Sequence, residues 1–407
     1  RHRSMRAVLD HFWQLLTQEE QTVFQKQAVF RGGFTREAYE EVTGANLAML
    51  SQFLDKSAIH FNEDGRYRRP SLMAQYARVR LQENSTLYTK TRECHARYFS
   101  KFVKRLEGEF FGGQPQKAMA PFLADLANIR FAWEWAVEHH NAEIFNDMAD
   151  TFMQAFDFAG LYRDAYDLAQ QATASLLLLA DPITEDVTLA KGRVMGLAGA
   201  FLFRLGEYKQ SLDWCQQSMQ TLEEVRPHIA YAHSFVYAGA AEFGLGDMEN
   251  VVTYWQKAAK EYQAANSEWG FMTANSNLAE VFNALGRYEE GKSSAEHALT
   301  LARKMHNLES IGSASTSLAF LALQDGKYSE ATQFAEEALR SHQQVGHDAH
   351  IANSLAVLAQ IASKQNNPDE ARRLLEESIG ILQRVGNRLY LEQRTQELNE
   401  VLTAQNK

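Results

Sequence analysis

The chain has 407 residues, of which 45% are hydrophobic and 23% charged, and 41 basic against 51 acidic side chains give a formal charge of −10. That hydrophobic fraction excludes a disordered chain, which needs few apolar residues and a high charge density. The acidic balance makes the whole chain a poor match for a phosphate backbone, so nucleic-acid binding would need a local basic patch.

No apolar stretch reaches the ~20 residues needed to span a bilayer. The longest leucine run, Leu176 to Leu179, ends at Ala180-Asp181-Pro182. The opening residues do not read as a signal peptide, so a cytoplasmic location and no membrane partner are expected. Cys94 and Cys215 are far apart and match no zinc or redox spacing, and read as small buried residues in a reducing compartment. The chain opens Arg1-His2-Arg3-Ser4-Met5 rather than on Met, and is expected to be part of something longer.

Arg6 to Leu16 reads as a first helix. Thr17-Gln18-Glu19-Glu20 is a capping box for the second, with Val23, Phe24 and Ala28 on its apolar face. Gly32-Gly33-Phe34-Thr35 breaks it, and Thr35 caps a third helix through Val42. Leu47 to Lys56 is a fourth. Ile59-His60-Phe61 and Arg66-Tyr67-Arg68 flank Asn62-Glu63-Asp64-Gly65, the pattern of a hairpin, and Ser71 starts a last helix through Leu81. Helices, a two-strand wing and a closing helix predict a winged helix over residues 1–83, though the same pattern suits any small packed domain. Its presumptive recognition helix, Asn46 to Lys56, has one Lys and one Asp and lacks the cluster of side chains needed to read base edges. Only Arg66, Arg68 and Arg69 on the wing are basic, so nucleic acid is not the expected partner.

Residues 84–140 read as a helical linker region. Its glycine-rich stretch, Gly112-Gly113-Gln114-Pro115-Gln116-Lys117, lacks the second Gly and the Ser/Thr of a phosphate-binding loop and reads as an inter-helix loop. No such loop occurs elsewhere, so the chain itself is expected to hold no cofactor and to catalyse nothing.

From residue 141 to 407 the glycines mark a repeat. Leu205-Gly206-Glu207-Tyr208, Leu245-Gly246-Asp247-Met248, Leu285-Gly286-Arg287-Tyr288 and Asp325-Gly326-Lys327-Tyr328 are spaced forty residues apart. Asn366-Asn367-Pro368 follows at the same interval, Asn being the next-best residue for a left-handed turn. Gly160-Leu161-Tyr162 is an earlier copy, the longer spacing there placed in the loop around Leu179 to Ile183. Small residues precede each turn (Gly199, Gly239, Ala279, Ala319, Ala359) and follow it (Ser218, Ala258, Ala298, Ala338, Ser378) in the same register. Between them the segments read as amphipathic helices, as Leu278, Val281, Phe282 and Leu285 illustrate.

This small–Leu-Gly-x-Tyr–Ala series resembles the tetratricopeptide repeat family, best in Ala279 to Ala298 and Ala319 to Ala338. The usual repeat is ~34 residues and often closes with Pro. These are longer and lack it, which implies helices about a turn longer and a broader groove. The resemblance predicts a mainly all-α chain: a winged helix followed by a right-handed α-solenoid of about six hairpins.

A second resemblance spans the whole chain. Ala28-Val29-Phe30-Arg31-Gly32-Gly33-Phe34-Thr35, Leu54-Asp55-Lys56-Ser57, Gly65-Arg66-Tyr67-Arg68 and Gln75-Tyr76-Ala77-Arg78 look like the winged-helix segment of bacterial STAND-class signalling ATPases. His95-Ala96-Arg97-Tyr98-Phe99 and Asp125 to Ala136 follow in the family's order, the latter like its linker helix into the repeats. The family includes transcriptional regulators with a nucleotide-binding domain before the winged helix and tetratricopeptide repeats after it. The resemblance therefore implies a parent chain whose missing upstream domain carries ATP or ADP, and on which the winged helix docks. Some members sense nucleotide with a His before the last winged-domain helix; here that stretch reads Arg68-Arg69-Pro70-Ser71-Leu72.

Other constellations read blandly. His347-Asp348-Ala349-His350 and His139-His140 supply two ligands each and no third, so no metal is expected and they read as solvated loop residues. Glu223-Glu224, Glu289-Glu290 and Glu336-Glu337 read as a solvated outer face, and no catalytic triad has a local motif. That leaves the groove. In tetratricopeptide arrays the first helix of each hairpin lines it, and the register points inward Arg193, Phe203, Arg204, His233, Phe243, Ser276, Asn283, Thr316, Phe320, Gln324, Asn353 and Gln360. Aromatics, amides and a few cations suit an extended peptide, a partner protein or a small polar inducer. The expected role is the sensor part of a STAND-type regulator; a free-standing interaction scaffold and a DNA-binding regulator are the alternatives.

Overall fold

The computed structural model describes residues 2–111, 115–180, 183–385 and 388–405. The chain divides into two compact units, one of Arg1–Phe110 and Gln114–Phe201, the other of Leu202–Lys407 with Phe111–Gly113. Gly112 to Gln114, read above as a loop, and Asp181-Pro182, where the extra spacing was placed, lie outside the described residues.

The first unit opens with α1 (His2–Gln14), α2 (Gln18–Lys26), α3 (Arg36–Thr43) and α4 (Leu47–Asp55). The capping box forms as its residues dictate: Thr17 Oγ1 accepts from the Glu20 amide at 3.2 Å, and Glu20 accepts from the Thr17 amide at 2.8 Å. Thr35 and Asn46 cap α3 and α4 in the same way. The first helix stops at Gln14 rather than Leu16, because Leu15 and Leu16 form the turn that presents Thr17.

β1 (His60–Phe61) and β2 (Tyr67–Arg68) pair antiparallel through Gly65, whose φ of 75° suits the tight turn. Phe34 adds a further bridge by exchanging both backbone hydrogen bonds with Tyr67, so the Gly32-Gly33-Phe34 break is also a sheet edge. α5 (Ser71–Gln82) closes this part. Phe24, Phe30, Phe34, Tyr39 and Phe53 are its buried core.

Two helix pairs follow. α6 (Ser85–Arg105), α7 (Glu107–Phe111), α8 (Pro115–Ala124) and α9 (Leu126–Glu138) precede the hairpin α10 (Ala142–Phe158) and α11 (Tyr162–Leu177). Trp133 of α9 is fully buried, stacked on Phe152 of α10 at 4.5 Å.

Of the three basic wing residues, Arg66 is buried. It grips Asp125, just ahead of α9, with two hydrogen bonds of 2.9 and 2.5 Å, and donates to the Gly33 carbonyl at 3.0 Å. Asn128 extends the lock, donating to Gly33 O and Asp125 and accepting from the Arg31 amide. The partner lies 59 residues away in sequence, which a local charge count cannot see.

α12 (Glu185–Arg204) starts in the first unit and ends in the second. The second unit continues with α13 (Tyr208–Leu222), α14 (Ile229–Leu245), α15 (Met248–Ala264), α16 (Glu268–Ala284), α17 (Tyr288–Lys304), α18 (Leu308–Gln324), α19 (Tyr328–Val345), α20 (Asp348–Lys364), α21 (Pro368–Val385) and α22 (Arg388–Gln405). From α10 to α21 the helices run in chain order as six pairs of first and second helices. Gly246 ends α14 at φ 88° with its N–H on the Glu242 and Phe243 carbonyls, and Asn366 takes the same place at φ 57°. Ser267 and Asn307, forty residues apart, N-cap successive first helices.

The small residues have a packing reason. A Cβ on Gly239 would lie 2.5 Å from the Trp255 ring, whose Nε1 donates to the Val236 carbonyl. Ala258, Ala298 and Ala338 are fully buried, and Ser378 uses its hydroxyl to bond the Ala352 carbonyl at 2.8 Å. From α13 to α22 each helix packs on the next, and α14, α16, α18 and α20 also touch in succession, leaving one face of the second unit built of first helices.

The histidines need a correction. His350 is not a solvated loop residue: it sits in the first turn of α20, edge-on to His347 at 4.0 Å and to buried His342 of α19 at 4.9 Å. Burial, with the other histidines, holds both His342 and His350 down to about 4. His139 and His140 do lie at the end of α9, but they are bonded, to the Trp135 carbonyl and to Ser175.

Candidate ligand-binding face

The forty-residue register repeats side chains along the first helices, so one position recurs on adjacent helices as a row. Positions three, six, ten and thirteen residues before the turn lie on one helical stripe. The residues expected to line it are now placed.

Arg193 belongs to the first unit and is spent there. Its guanidinium donates to the Asp150 carboxylate at 2.9 Å and to the Asn146 carbonyl, and its side chain is 12% exposed. In the second unit, Arg204 is exposed and lies over the half-buried Phe203 ring at 5.5 Å. His233 is buried edge-on against Tyr262, and so is packed between helices rather than presented. Phe243 is 52% exposed, a large apolar ring standing in solvent. Ser276 and Thr316 turn their hydroxyls back onto the Met272 and Gly312 carbonyls.

Asn283 is half-buried. Its Oδ1 is sealed without a partner, and a Cβ on Gly291 of α17 would come within 2.4 Å of it. Phe320 is half-buried with its ring 6.3 Å from Tyr288. Gln324 is exposed at the end of α18. Asn353 and Gln360 are brought together by α22: Asn353 accepts from Arg394, Gln360 donates to Glu397, and Arg394 pairs with Glu397 at 2.6 Å.

One residue of the face was missed. Glu280 of α16 occupies the position of Phe320 and Gln360, forty and eighty residues earlier, so the register alone would have named it. It is exposed, makes no hydrogen bond or ion pair among the described residues, and is ringed by enough protein that burial pushes its carboxyl up. α14, α16 and α18 contain no Lys or Arg. Their other acids are the first-turn Glu268 and Glu309 and the buried Glu242. The middle of this face is thus an uncompensated carboxylate among amides, hydroxyls and aromatic rings. Such a surface can accept hydrogen bonds from a cation and pack apolar groups around it.

Among the described residues no group of three or more His, Cys, Asp and Glu is arranged to hold a metal ion, and no helix is long and apolar enough to cross a membrane.

Comparison with known proteins agrees with this architecture. The tetratricopeptide repeat family matches residues 270–344 and 310–384. No curated protein matches the chain. Among solved structures, a signal transduction ATPase with numerous domains (STAND) with a tetratricopeptide repeat sensor, from Pyrococcus horikoshii, is similar at a TM-score of 0.54 and 14% identity, over 92% of this chain and 58% of that one. This chain therefore spans little more than half of that protein's length. Aspartyl phosphate phosphatase F from Bacillus subtilis is similar at 0.50 and 12% identity, covering 85% of this chain and 82% of that one. The apo form of RapI gives 0.50 and 15%, covering 70% and 99%. At these identities the likeness is one of fold. Residues 270–384, which match the tetratricopeptide repeat family, carry the middle of the candidate face.

Proposed function

We propose that the first-helix face of the second unit binds an extended peptide or peptide-like ligand that places a cationic group on Glu280, and that this binding is a sensing event rather than a step of catalysis. The observation that carries the reading is Glu280 itself: an exposed carboxylate with no hydrogen bond or ion pair among the described residues, on helices that hold no basic residue, with Phe320 at the same position of the next first helix and Asn283 one turn on. A carboxylate so placed has its acceptor sites open to a cation that a ligand brings.

In the parent protein the array acts as the sensor arm of a cytoplasmic STAND-type regulator. Residues 1–83 are its winged helix and 84–140 its linker, and ATP or ADP is held by a nucleotide-binding domain in the same parent chain. What supports this is the residue resemblance along the first unit, the order of elements, and the fold likeness to a STAND protein over most of the chain. A ligand that prefers one of two states by a few kcal/mol is enough to switch such a protein. A DNA-binding role has little support: the exposed side of α4 presents Leu47, Ala48, Ser51, Gln52 and Asp55, and Arg66 is withdrawn into its bond with Asp125.

The test is fluorescence anisotropy with a labelled peptide pool bearing one Lys or Arg among apolar and amide residues. A hydrogen bond to a charged group is worth ~1.5–3 kcal/mol, so Glu280→Gln is expected to weaken the best binder about ten- to hundredfold. The outer-face variant Glu289→Gln should leave it unchanged. Equal binding by wild type and Glu280→Gln would overturn the assignment. For the parent, a reading frame without an upstream phosphate-binding loop would remove the switch.

A further inference from the structure

The first unit holds guanidinium groups that outnumber their counter-charges. Arg69 follows β2, and its Nε and Nη1 are sealed from solvent with no acceptor in reach. Its Nη2 is 3.5 Å from the Phe30 carbonyl, the limit of a hydrogen bond. The charged groups that act on it are Arg78 and Arg31, both cations, and with burial they pull it down to about 9.

Arg31 and Arg92 lie over the same Phe131 ring, at 3.9 and 3.7 Å from its centre. Arg92 Nε is also sealed and unpartnered. The carboxylates present are Glu138, 3.3 Å from Arg92, and Glu134, which acts on Arg31. Tyr88 and His95 complete the surroundings. Tyr88 accepts from Arg92 at 3.2 Å. Burial first, then Arg92 and Arg31, hold His95 neutral at about 3, and its Nδ1 has no partner.

Four guanidiniums therefore face two carboxylates, a surplus of two positive charges. Arg78 is exposed and Arg31 and Arg69 are half-buried, so the cluster opens to solvent on the Arg78 side. Buried donors without acceptors cost free energy, and planar guanidinium forks match the oxygens of a phosphoryl group, which carries close to two negative charges. We propose that Arg31, Arg69, Arg78 and Arg92 form a binding site for a doubly charged phosphoryl group. The site is independent of the groove: its residues belong to the first unit, and it needs no ligand on Glu280.

Isothermal titration calorimetry of the whole chain tests it, with inorganic phosphate and phosphoserine as probes and chloride holding ionic strength constant. Saturable one-to-one binding is expected. Arg69→Met, which keeps the buried stem, should weaken it at least tenfold. Arg78→Gln, on an exposed side chain, should weaken it several-fold, and the surface variant Arg340→Gln in the second unit should have no effect. Phosphoserine binding more tightly than phosphate would assign the group to a phosphorylated side chain; equal binding would assign it to the free anion. The proposal is overturned if neither probe binds saturably, if Arg69→Met and Arg78→Gln bind like wild type, or if a hexaglutamate peptide binds better than both probes.

Discussion

Removing the Asp125 carboxylate isolates the lock that holds the wing to the helices behind it. Asp125→Ala takes two of its three acceptors from the buried Arg66 guanidinium and one from Asn128 Nδ2. Arg66 is 8% exposed and Asp125 4%, so water cannot fully replace what is lost. Breaking a buried pair from one side costs ~3–5 kcal/mol because the surviving charge is left uncompensated. For a unit of this size each kcal/mol lowers the transition by about 2–4 °C, so calorimetry should show the first unit melting of the order of 10 °C earlier. The chain has two units, so the scan should be fitted as two transitions, with the second unit's unmoved. Arg66→Met combined with Asp125→Leu removes both charges and should recover most of the loss. The reasoning fails if Asp125→Ala melts within a degree or two of wild type, or if the double variant is worse than the single one.

Other outcomes follow from the same structure. The folded-state values of His342 and His350 are depressed to about 4 from 6.5, so the unfolded chain binds more protons between those values. Stability is full above 6.5 and is lost as pH falls toward 4, at about 1.4 kcal/mol per pH unit per group at most. The second transition should therefore drop between pH 7 and pH 5, and His350→Gln should flatten that drop. Gly239→Ala drives a methyl group into the Trp255 ring, 2.5 Å away, and overpacking of this kind costs ~1–3 kcal/mol, readable by urea unfolding. Cys94, expected to be buried, is exposed, so with a thiol reagent the native chain should give one fast equivalent from it. Cys215, fully buried with its thiol pushed up to about 12, should react only on unfolding.

Much of the fold is legible from local chemistry. The turn residues Gly206, Gly246, Gly286, Gly326 and Asn366 all take positive φ, and Thr17, Thr35 and Asn46 all cap as their types predict. These features are short in sequence, and the backbone alone enforces them. What local reading misses depends on partners far along the chain. Arg66 finds Asp125, and Arg193 finds Asp150 on the preceding hairpin, so neither is a free cation. His342 meets His350 because a hairpin boundary folds α20 back on α19. Glu280 is a different kind of miss. Its register position, shared with Phe320 and Gln360, is legible, but nothing local in the sequence tells an acid left without a cation from one on a solvated outer face.

The central claim is that a ligand lies on the first helices, over Glu280 and Phe320, and site-specific photo-crosslinking measures this directly. With the tightest cationic peptide from the binding assay, a photoreactive residue in place of Phe320 should capture the peptide in good yield, and one in place of the exposed Gln333 on α19 should not. Capture from position 333 that equals or exceeds capture from 320 would contradict the account.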